Sequence, residues 1–375
     1  MNNIDVFKNK LKKFIKSLNI DRTLIEQNGL EKDLIKKIAN EGYLGCNIPK
    51  IYGGSELNSR EIGLINLEFS KVSPSLRSIF TVQGMFSEAI LRWGTEEQKK
   101  KYLPLLASGE KIGTIALSEK NVGSDINNIE STYKVENGSV FVNGKKEWIT
   151  FGAIADYYLT FLKSNNTYSA FIIEINSQLS PYVIENQYNS LTLKGTNIAD
   201  VEFVNYKVEY SNLLGQEGIA LKYIAPYILD YGRFTISFGC LGIAEACLDL
   251  VLKYTNERKQ FSIKLNEFQA IQKIITEIII KYETCQLLCY SAASSRDSKN
   301  YDSIIKNCLA KYYSSKIANQ ITSDAIQVLG SKGFINTYPL EMYFRDAKAY
   351  EIIEGTSQIL ETLISKNYIF YDTNI

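Results

Sequence analysis

The spacing of apolar residues changes twice along this chain, and the change limits the folds that the chain can adopt. The first third has the spacing of amphipathic helices, the middle alternates apolar and polar residues as half-buried strands do, and the last part is helical again. We therefore expect an α+β protein that is mainly α. The boundaries predict a helical domain at 1–113, a β-domain at 114–216 and a second helical domain at 217–375.

Turn signals place the strands of the β-domain. Asn137-Gly138 separates two alternating runs, which predicts a hairpin, and Asn143-Gly144 predicts a second turn shortly afterwards. The segments 156–163 and 168–175 are expected to pair with each other, and 199–208 is expected to form a further strand. This pattern predicts an antiparallel β-domain.

Helix signals flank that domain on both sides. A capping box starts at Thr95, and Pro104 is expected to close the short helix that follows. Towards the C-terminus, an apolar stripe runs from Phe268 to Tyr282 and helical periodicity continues to Leu329. Stripes this long predict a helical bundle with a sizeable helix–helix interface, within the chain or between subunits.

Composition excludes several classes of function. The formal net charge of +1 gives no electrostatic case for nucleic acid or an acidic membrane surface, and no apolar run approaches transmembrane length. The chain has no histidine, which removes Ser-His-Asp catalysis, Cys-His catalysis and histidine-ligated metals, so we expect no metal site. Its cysteines form no C-x-x-C pair, and without a secretory signal we expect buried free thiols in a reducing cytoplasm.

One carboxylate stands at a backbone corner near the C-terminus. Glu354 lies between two helical patterns, directly before Gly355 and Thr356. Glycine allows a sharp turn and a close approach to a bound group, and threonine can cap the following helix. Because two isoleucines precede it, the carboxylate should be partly desolvated, which raises its pKa towards the working range of a general base. The competing interpretation is a solvated glutamate at an ordinary helix–turn–helix corner.

Three further segments contain residues suited to a cofactor. Gly123-Ser124 can cradle an anion or the edge of a polar ring, although such a segment is usually only a turn. Trp148 and Thr150 share one face of a strand, so a flat surface and a hydrogen-bonding group lie side by side; core packing is the alternative. Arg258 offers a fork of donors for phosphate, and an exposed helix end is the alternative there.

Taken together and in this order, the segments resemble the acyl-CoA dehydrogenase family of flavoproteins. The resemblance extends over nearly the whole chain, from Tyr52-Gly53-Gly54 to Gln358. No G-x-G-x-x-G motif follows a strand, so a Rossmann site is not the alternative. The resemblance implies an N-terminal helical domain, a central antiparallel β-barrel or sandwich, a C-terminal four-helix bundle, and bound FAD.

The resemblance also assigns roles to individual residues. Glu354 matches the usual catalytic base; some relatives place the base just before the arginine that matches Arg233, but that position is Gly232 here. The positions that match FAD contacts are Leu117, Ser118, Gly123, Ser124, Trp148, Thr150, Arg258, Gln260, Phe261, Gln269, Gln327, Gly330, Thr356 and Gln358, of which Gln327 and Gly330 match a segment contributed by a neighbouring subunit. The positions assigned to the substrate side are Ser124, Asp230, Arg233, Ile353 and Gly355.

The implied reaction is the α,β-dehydrogenation of an acyl thioester. Glu354 would remove the α-proton while the β-hydride passes to flavin N5. Ile353 stands where a tyrosine often precedes the base, which leaves the acyl pocket and the carrier, CoA or an acyl carrier protein, open. Electron-transfer flavoprotein or oxygen would accept the electrons, and a homotetramer or homodimer is expected. The alternatives are a flavin oxidase that acts on a carrier-protein-bound acyl or aminoacyl thioester, and a non-catalytic homologue.

Overall fold

The computed structural model describes residues 3–175, 182–185 and 188–371. Its first part is helical, with helix boundaries set largely by polar caps. Asn58 and Glu61 form a reciprocal capping box at the start of the fourth helix, and Thr95 forms the predicted one at the start of the sixth. The six helices are α1 (Asn3–Ser17), α2 (Arg22–Asn28), α3 (Lys32–Asn40), α4 (Ser59–Ser70), α5 (Pro74–Trp93) and α6 (Glu96–Ala107).

The prediction that Pro104 closes its helix is wrong. Helix α6 continues through Pro104 to Ala107. Proline removes one backbone hydrogen bond from a helix interior. Here the helical path also buries Leu103 and Leu106 completely, and this burial outweighs the lost hydrogen bond.

The middle of the chain forms one curled, seven-stranded sheet. The strands follow the order β1-β4-β2-β3-β7-β6, with β5 paired to β4. The Asn137-Gly138 hairpin and the pairing of the two strands around Asn165 are confirmed. The strands are β1 (Gly113–Ala116), β2 (Thr132–Glu136), β3 (Ser139–Ile149), β4 (Tyr157–Ser164), β5 (Thr167–Glu174), β6 (Tyr182–Glu185) and β7 (Ala199–Glu209).

Two details of the sheet differ from the sequence prediction. Strand β4 pairs in parallel with β1 and, at one residue, with β2, because the long connection from β1 to β4 lets the chain re-enter in the same direction; the other pairings are antiparallel. Asn143-Gly144 is not a turn. Strand β3 runs through it with a shift in register against β7, and Gly144 has a φ of 140°, so the pair forms a bulge within a continuous strand.

The last part is a bundle built around one long helix. Helix α7 packs against α4, α5, α8 and α9, while α10 and α11 pack on α9. The remaining elements are α7 (Ala225–Glu257), a short hairpin of β8 (Lys259–Gln260) and β9 (Ile263–Lys264), α8 (Gln269–Asp297), α9 (Ser303–Leu329), α10 (Leu340–Ile352) and α11 (Ser357–Tyr371).

The segment Ala220–Glu257, which includes α7, is long and apolar enough to cross a membrane by length and composition, so the expectation that no run approaches that length is wrong. Of its most apolar window, 72% is buried inside the structure. Its apolar character is therefore used in packing: α7 contributes to both helical cores, one shared with α5 and one shared with α9.

Glycines let neighbouring helices approach α7 closely. A Cβ added to Gly242 would overlap the backbone carbonyl of Leu67 on α4, and one added to Gly84 on α5 would overlap the ring of Tyr231. These contacts fix the positions of α4 and α5 against the helix that carries Gly232 and Arg233. The helix spacing around the candidate site therefore depends on glycines, which have no side chain to keep the helices apart.

We predict that Gly242→Ala destabilises the protein by about 1–3 kcal/mol, because the new methyl group meets backbone atoms that cannot move aside cheaply. Urea unfolding followed by circular dichroism measures the change. Lys253→Ala, at an exposed position on the same helix, is the matched control and should change stability by less than about 0.5 kcal/mol. Equal stabilities of the two variants would show that the α4–α7 contact is not tight.

Candidate active site

The site is organised by a strained turn between α10 and α11. Glu354 has a φ of 55°, in the left-handed region, and Gly355 follows with a φ of 97°. Thr356 then caps α11, because its hydroxyl accepts a hydrogen bond from the backbone N–H of Ile359 at 3.3 Å. A non-glycine residue in the left-handed region costs on the order of 1 kcal/mol or more, so other contacts must hold the turn.

Two buried cations hold the turn through its backbone. Arg233, on α7, donates from Nε to the carbonyl oxygen of Glu354 at 3.1 Å. Lys311, on α9, donates from Nζ to the carbonyl oxygen of Gly355 at 2.6 Å and more weakly to that of Glu351 at 3.4 Å. Lys311 is fully buried, and this burial lowers its pKa to about 8. Successive carbonyl groups of the turn are therefore bound from two different helices.

The carboxyl group of Glu354 lies against α7, and one of its oxygens makes no hydrogen bond to the described residues. A Cβ built on Gly232 would be 2.6 Å from the Glu354 carboxyl carbon, so a larger residue there would displace the carboxyl group. The Oε2 atom is buried and has no hydrogen-bond partner among the described residues. Burial raises the pKa of Glu354 to about 7, and the positive charges of Arg233, Lys311 and Arg77 partly oppose the rise. At neutral pH this group can accept a proton.

The turn opens onto a cavity of about 1860 Å³. Its walls come from α5, the β-domain, and α7 to α11 with their connecting loops. The cavity thus brings together most of the residues that the sequence assigned to the site, and these are Leu117, Ser118, Gly123, Ser124, Trp148, Thr150, Asp230, Arg233, Ile353, Glu354, Gly355 and Thr356.

The β-domain side of the cavity fits a planar ring. Trp148 has a φ of 60° and its side chain is 55% exposed, while Tyr188 stacks on it with ring centroids 3.8 Å apart. Asp200 fixes both, because it accepts hydrogen bonds from the Trp148 backbone N–H and the Tyr188 hydroxyl. Gly123 has open space where a Cβ would be, so backbone can approach a bound group. A flat aromatic wall beside a glycine loop suits an isoalloxazine ring.

A buried ion pair supports that loop. Lys146 is fully buried and its Nζ lies 2.6 Å from Oε1 of Glu119, which also accepts backbone hydrogen bonds from Glu130 and Ser131. Burial lowers the pKa of Lys146 to about 8. For Glu119, burial is outweighed by Lys146 and the hydrogen bonds, so its pKa is lowered and the carboxylate stays charged. The pair anchors the segment between Ser118 and Ser124 to the sheet.

Seven residues assigned to FAD by resemblance do not line this cavity. All seven are exposed, and the Phe261 side chain is 91% exposed at the tip of the β8–β9 hairpin. A single copy of the chain therefore does not bring these residues to the Glu354 cavity: Arg258, Gln260, Phe261, Gln269, Gln327, Gly330 and Gln358.

Sequence reasoning missed several residues that shape the site. Lys311, Lys146 and Arg77 are charged side chains that the structure buries next to the cavity or its supports. One signal was available: Lys311 falls on the same face of its helical pattern as small or apolar residues of α9 three positions away, Cys308 and Ser314. A long cation on an apolar face indicates a buried partner, although the pattern does not identify that partner.

This fold and site are those of a flavoprotein oxidoreductase. Three family profiles match the chain: acyl-CoA dehydrogenase N-terminal domain over residues 6–110, middle domain over 114–206 and C-terminal domain over 222–369. The chain belongs to the acyl-CoA dehydrogenase family, as the sequence resemblance predicted.

Similar proteins include enzymes with different carriers. An acyl-CoA dehydrogenase of Bacillus subtilis is 35% identical over 339 residues, covering 89% of this chain and 88% of the relative. The butyryl-CoA dehydrogenase of Megasphaera elsdenii superposes with a TM-score of 0.92 at 26% identity, covering 98% of this chain and 99% of the other. The prolyl acyl carrier protein oxidase AnaB superposes with a TM-score of 0.91, also at 26% identity and with the same coverage.

We predict that Glu354→Gln stabilises the protein more at pH 7.5 than at pH 5. The pKa of Glu354 is raised from 4.5 to about 7 on folding, so its favourable contribution is complete below pH 4.5 and is lost as the pH rises through 7. Because the side chain is partly accessible, we expect a difference on the order of 2 kcal/mol, less than full linkage gives.

Urea unfolding of both proteins at the two pH values measures this difference. The amide removes the titration and keeps the side-chain size, so packing effects cancel between the pH values. An identical change in stability at pH 5 and pH 7.5 would contradict a raised pKa.

Proposed function

We propose that this protein catalyses the FAD-dependent α,β-dehydrogenation of an acyl thioester, with Glu354 as the catalytic base. The observation that carries the proposal is the Glu354 carboxylate. It has a pKa of about 7 and a buried, unpartnered oxygen, and it lines the same cavity as Trp148, Ser124 and Thr150. A base poised near neutral pH beside an aromatic wall is what proton removal next to a flavin requires.

The β-domain wall would hold the flavin. Ser118, Gly123 and Ser124 would contact the edge of the ring system, and Trp148 and Thr150 would flank it. When bound, FAD supplies a two-electron acceptor for the hydride that leaves the β-carbon. The family's flavoproteins and the fit of these residues support this assignment.

The chain itself supplies the base, its position and a dry environment. The carboxylate of Glu354 takes the α-proton of the acyl group, and the electron pair of that C–H bond becomes the α,β double bond as the β-hydride departs. Arg233 and Lys311 keep the carboxylate in place through the backbone of its turn. A backbone N–H of that turn would stabilise the thioester oxygen as charge develops on it. The product is an enoyl thioester, and the proton stays on Glu354 until it is released.

We predict that Glu354→Gln retains FAD but loses flavin reduction by acyl thioesters by at least about 10³-fold, because the amide cannot accept the α-proton. Anaerobic stopped-flow absorbance of the flavin, with butyryl-CoA and the corresponding carrier-protein thioester as substrates, measures the rate. Glu351→Gln, three residues earlier on α10, is the matched control and should reduce its flavin normally. Normal flavin reduction by Glu354→Gln would exclude Glu354 as the base.

The carrier and the electron acceptor define two versions of the same chemistry. Similarity to butyryl-CoA dehydrogenase favours a CoA thioester, and similarity to AnaB favours an acyl group on a carrier protein with oxygen as acceptor. We propose the dehydrogenase with an electron-transfer flavoprotein as the main candidate and the carrier-protein oxidase as the second. Rapid reoxidation of the reduced flavin by air, with hydrogen peroxide as product, would favour the second.

We further propose that the protein functions as a homotetramer or homodimer. The β8–β9 hairpin turns at Phe261 and Ser262, both with positive φ, a geometry that usually requires glycine or asparagine. This strained turn holds a phenyl ring that is 91% exposed, and Leu287 on α8 is 72% exposed. Strain combined with exposed apolar area supports an interface with another copy. It would also explain why seven FAD-matching residues lie outside this chain's own cavity.

We predict that Phe261→Asp lowers both the oligomeric state and the FAD content. A buried carboxylate at an apolar interface is costly, so the subunits should separate. Analytical ultracentrifugation and the flavin-to-protein absorbance ratio measure the two effects. Val135→Asp, at an exposed apolar position on β2, is the control and should change neither. A Phe261→Asp protein with unchanged mass and full FAD content would contradict the proposed interface.

A further inference from the structure

A buried arginine lines the cavity and has no carboxylate partner among the residues that the structure describes. Arg77, on α5, is fully buried and borders the cavity together with Ser78 and Thr81. Its Nε donates to the Tyr350 hydroxyl at 3.2 Å and its Nη1 donates to the Thr81 hydroxyl at 2.6 Å. Its guanidinium carbon lies 4.7 Å from the centroid of the Tyr350 ring. Within the described residues, no carboxylate oxygen lies within 4.0 Å of the guanidinium nitrogens.

Positions along helix α7 give the distance between Arg77 and the turn at Glu354. Gly232 faces the Glu354 carboxyl group, and Gly239 faces Arg77, because a Cβ at Gly239 would be 3.1 Å from its Nε. The two glycines are seven positions apart along the helix, which corresponds to about 10 Å. Arg77 therefore lies deeper than Glu354 along the same helix and is still close enough to lower the pKa of Glu354.

The charges at this end of the cavity do not balance. Arg77, Arg233 and Lys311 are buried cations, and Glu354 is the carboxylate that acts on all three. Glu351 also acts on Lys311, but it is paired with Lys348 at 3.3 Å. The neighbouring Asp230 does not compensate, because it is paired with Arg296 at 2.7 Å and with Asn307. Burying a charge without a counter-charge is unfavourable. The hydrogen-bond acceptors of Arg77 among the described residues are the neutral hydroxyl groups of Tyr350 and Thr81. An anionic ligand would supply the missing charge.

We propose that Arg77, together with Thr81, binds a carboxylate at the far end of the acyl chain, so that the substrate is the thioester of a short dicarboxylic acid. This assignment rests on the proposed function. If the α-carbon lies about 3 Å from the base and the carboxylate about 3 Å from the guanidinium, roughly 4 Å of the helix distance remains. At about 1.2 Å per bond of extended chain, that places the carboxylate about three or four bonds beyond the α-carbon.

Matched pairs of thioesters test the assignment. Succinyl-, glutaryl- and adipyl-CoA are compared with butyryl-, pentanoyl- and hexanoyl-CoA. The members of each pair differ only in the terminal group, a carboxylate or a methyl, and any preference of the enzyme for or against CoA affects both equally. Anaerobic flavin reduction of the FAD-loaded protein gives kcat and KM, and calorimetry on Glu354→Gln gives Kd without turnover. We expect one dicarboxylic member, glutaryl or adipyl, to exceed its partner in kcat/KM by about 100-fold or more, as a charged bidentate contact permits.

Variants of Arg77 separate charge from packing. Arg77→Met should lower kcat/KM for the dicarboxylic thioester much more than for its uncharged partner, so that the ratio within the pair falls towards one, and Arg77→Lys should keep part of the preference. Arg60→Met is the control: Arg60 also lies over an aromatic ring, that of Tyr290, but it is exposed and outside the cavity. Circular dichroism confirms folding; if Arg77→Met does not fold, the wild-type and Arg77→Lys ratios decide.

Each outcome distinguishes this inference from the proposed function. Equal kcat/KM and Kd values within every pair would overturn the carboxylate subsite and leave dehydrogenation by Glu354 intact. Loss of activity in Arg77→Met by the same factor for both members of a pair would show a structural arginine and would also overturn it. If no thioester of either kind binds or reduces the flavin, the proposed function fails and the subsite fails with it.

Discussion

The site depends on two cations that bind the backbone of one turn from two different helices. Arg233 and Lys311 donate to the successive carbonyls of Glu354 and Gly355, and they do so from α7 and α9. The turn needs this support because Glu354 is held in a left-handed conformation that glutamate does not favour. Two helices thereby fix the position of a residue that lies on a loop. The carboxyl oxygen Oε2 is positioned in this way although it has no hydrogen-bond partner among the described residues.

Helix α7 makes this arrangement possible because it packs against α4, α5, α8, α9 and α10. Its glycines accept α4, α5 and the Glu354 side chain, while Arg233 and Asp230 project from the same helix into the cavity. The small residues do more than relieve steric conflict. They set the distance between the Glu354 carboxyl group and the opposite wall of the cavity. Under the proposed function, the same glycines would limit the size of the acyl group that fits beside Glu354.

Much of the fold was predictable because hydrophobic period and turn residues are local signals. The helix–sheet–helix order, the hairpin at Asn137 and the corner at Glu354 all follow from such signals. Pro104 and Asn143 were misread because burial of neighbouring residues and register against β7 are not local. Arg77 and the Lys146–Glu119 pair were missed for a related reason: a charged residue in sequence is normally exposed, and only the tertiary structure shows what buries it.

The cavity walls come from all three stretches of the chain, the two helical ones and the β-domain. Each of these stretches contributes side chains to one large space that a closely packed protein would otherwise fill. A ligand that occupies this space touches each of them at once, and its binding free energy is available only when all are folded. Binding of the family's prosthetic group should therefore stabilise all three stretches together, in addition to the hydrophobic core that they already share.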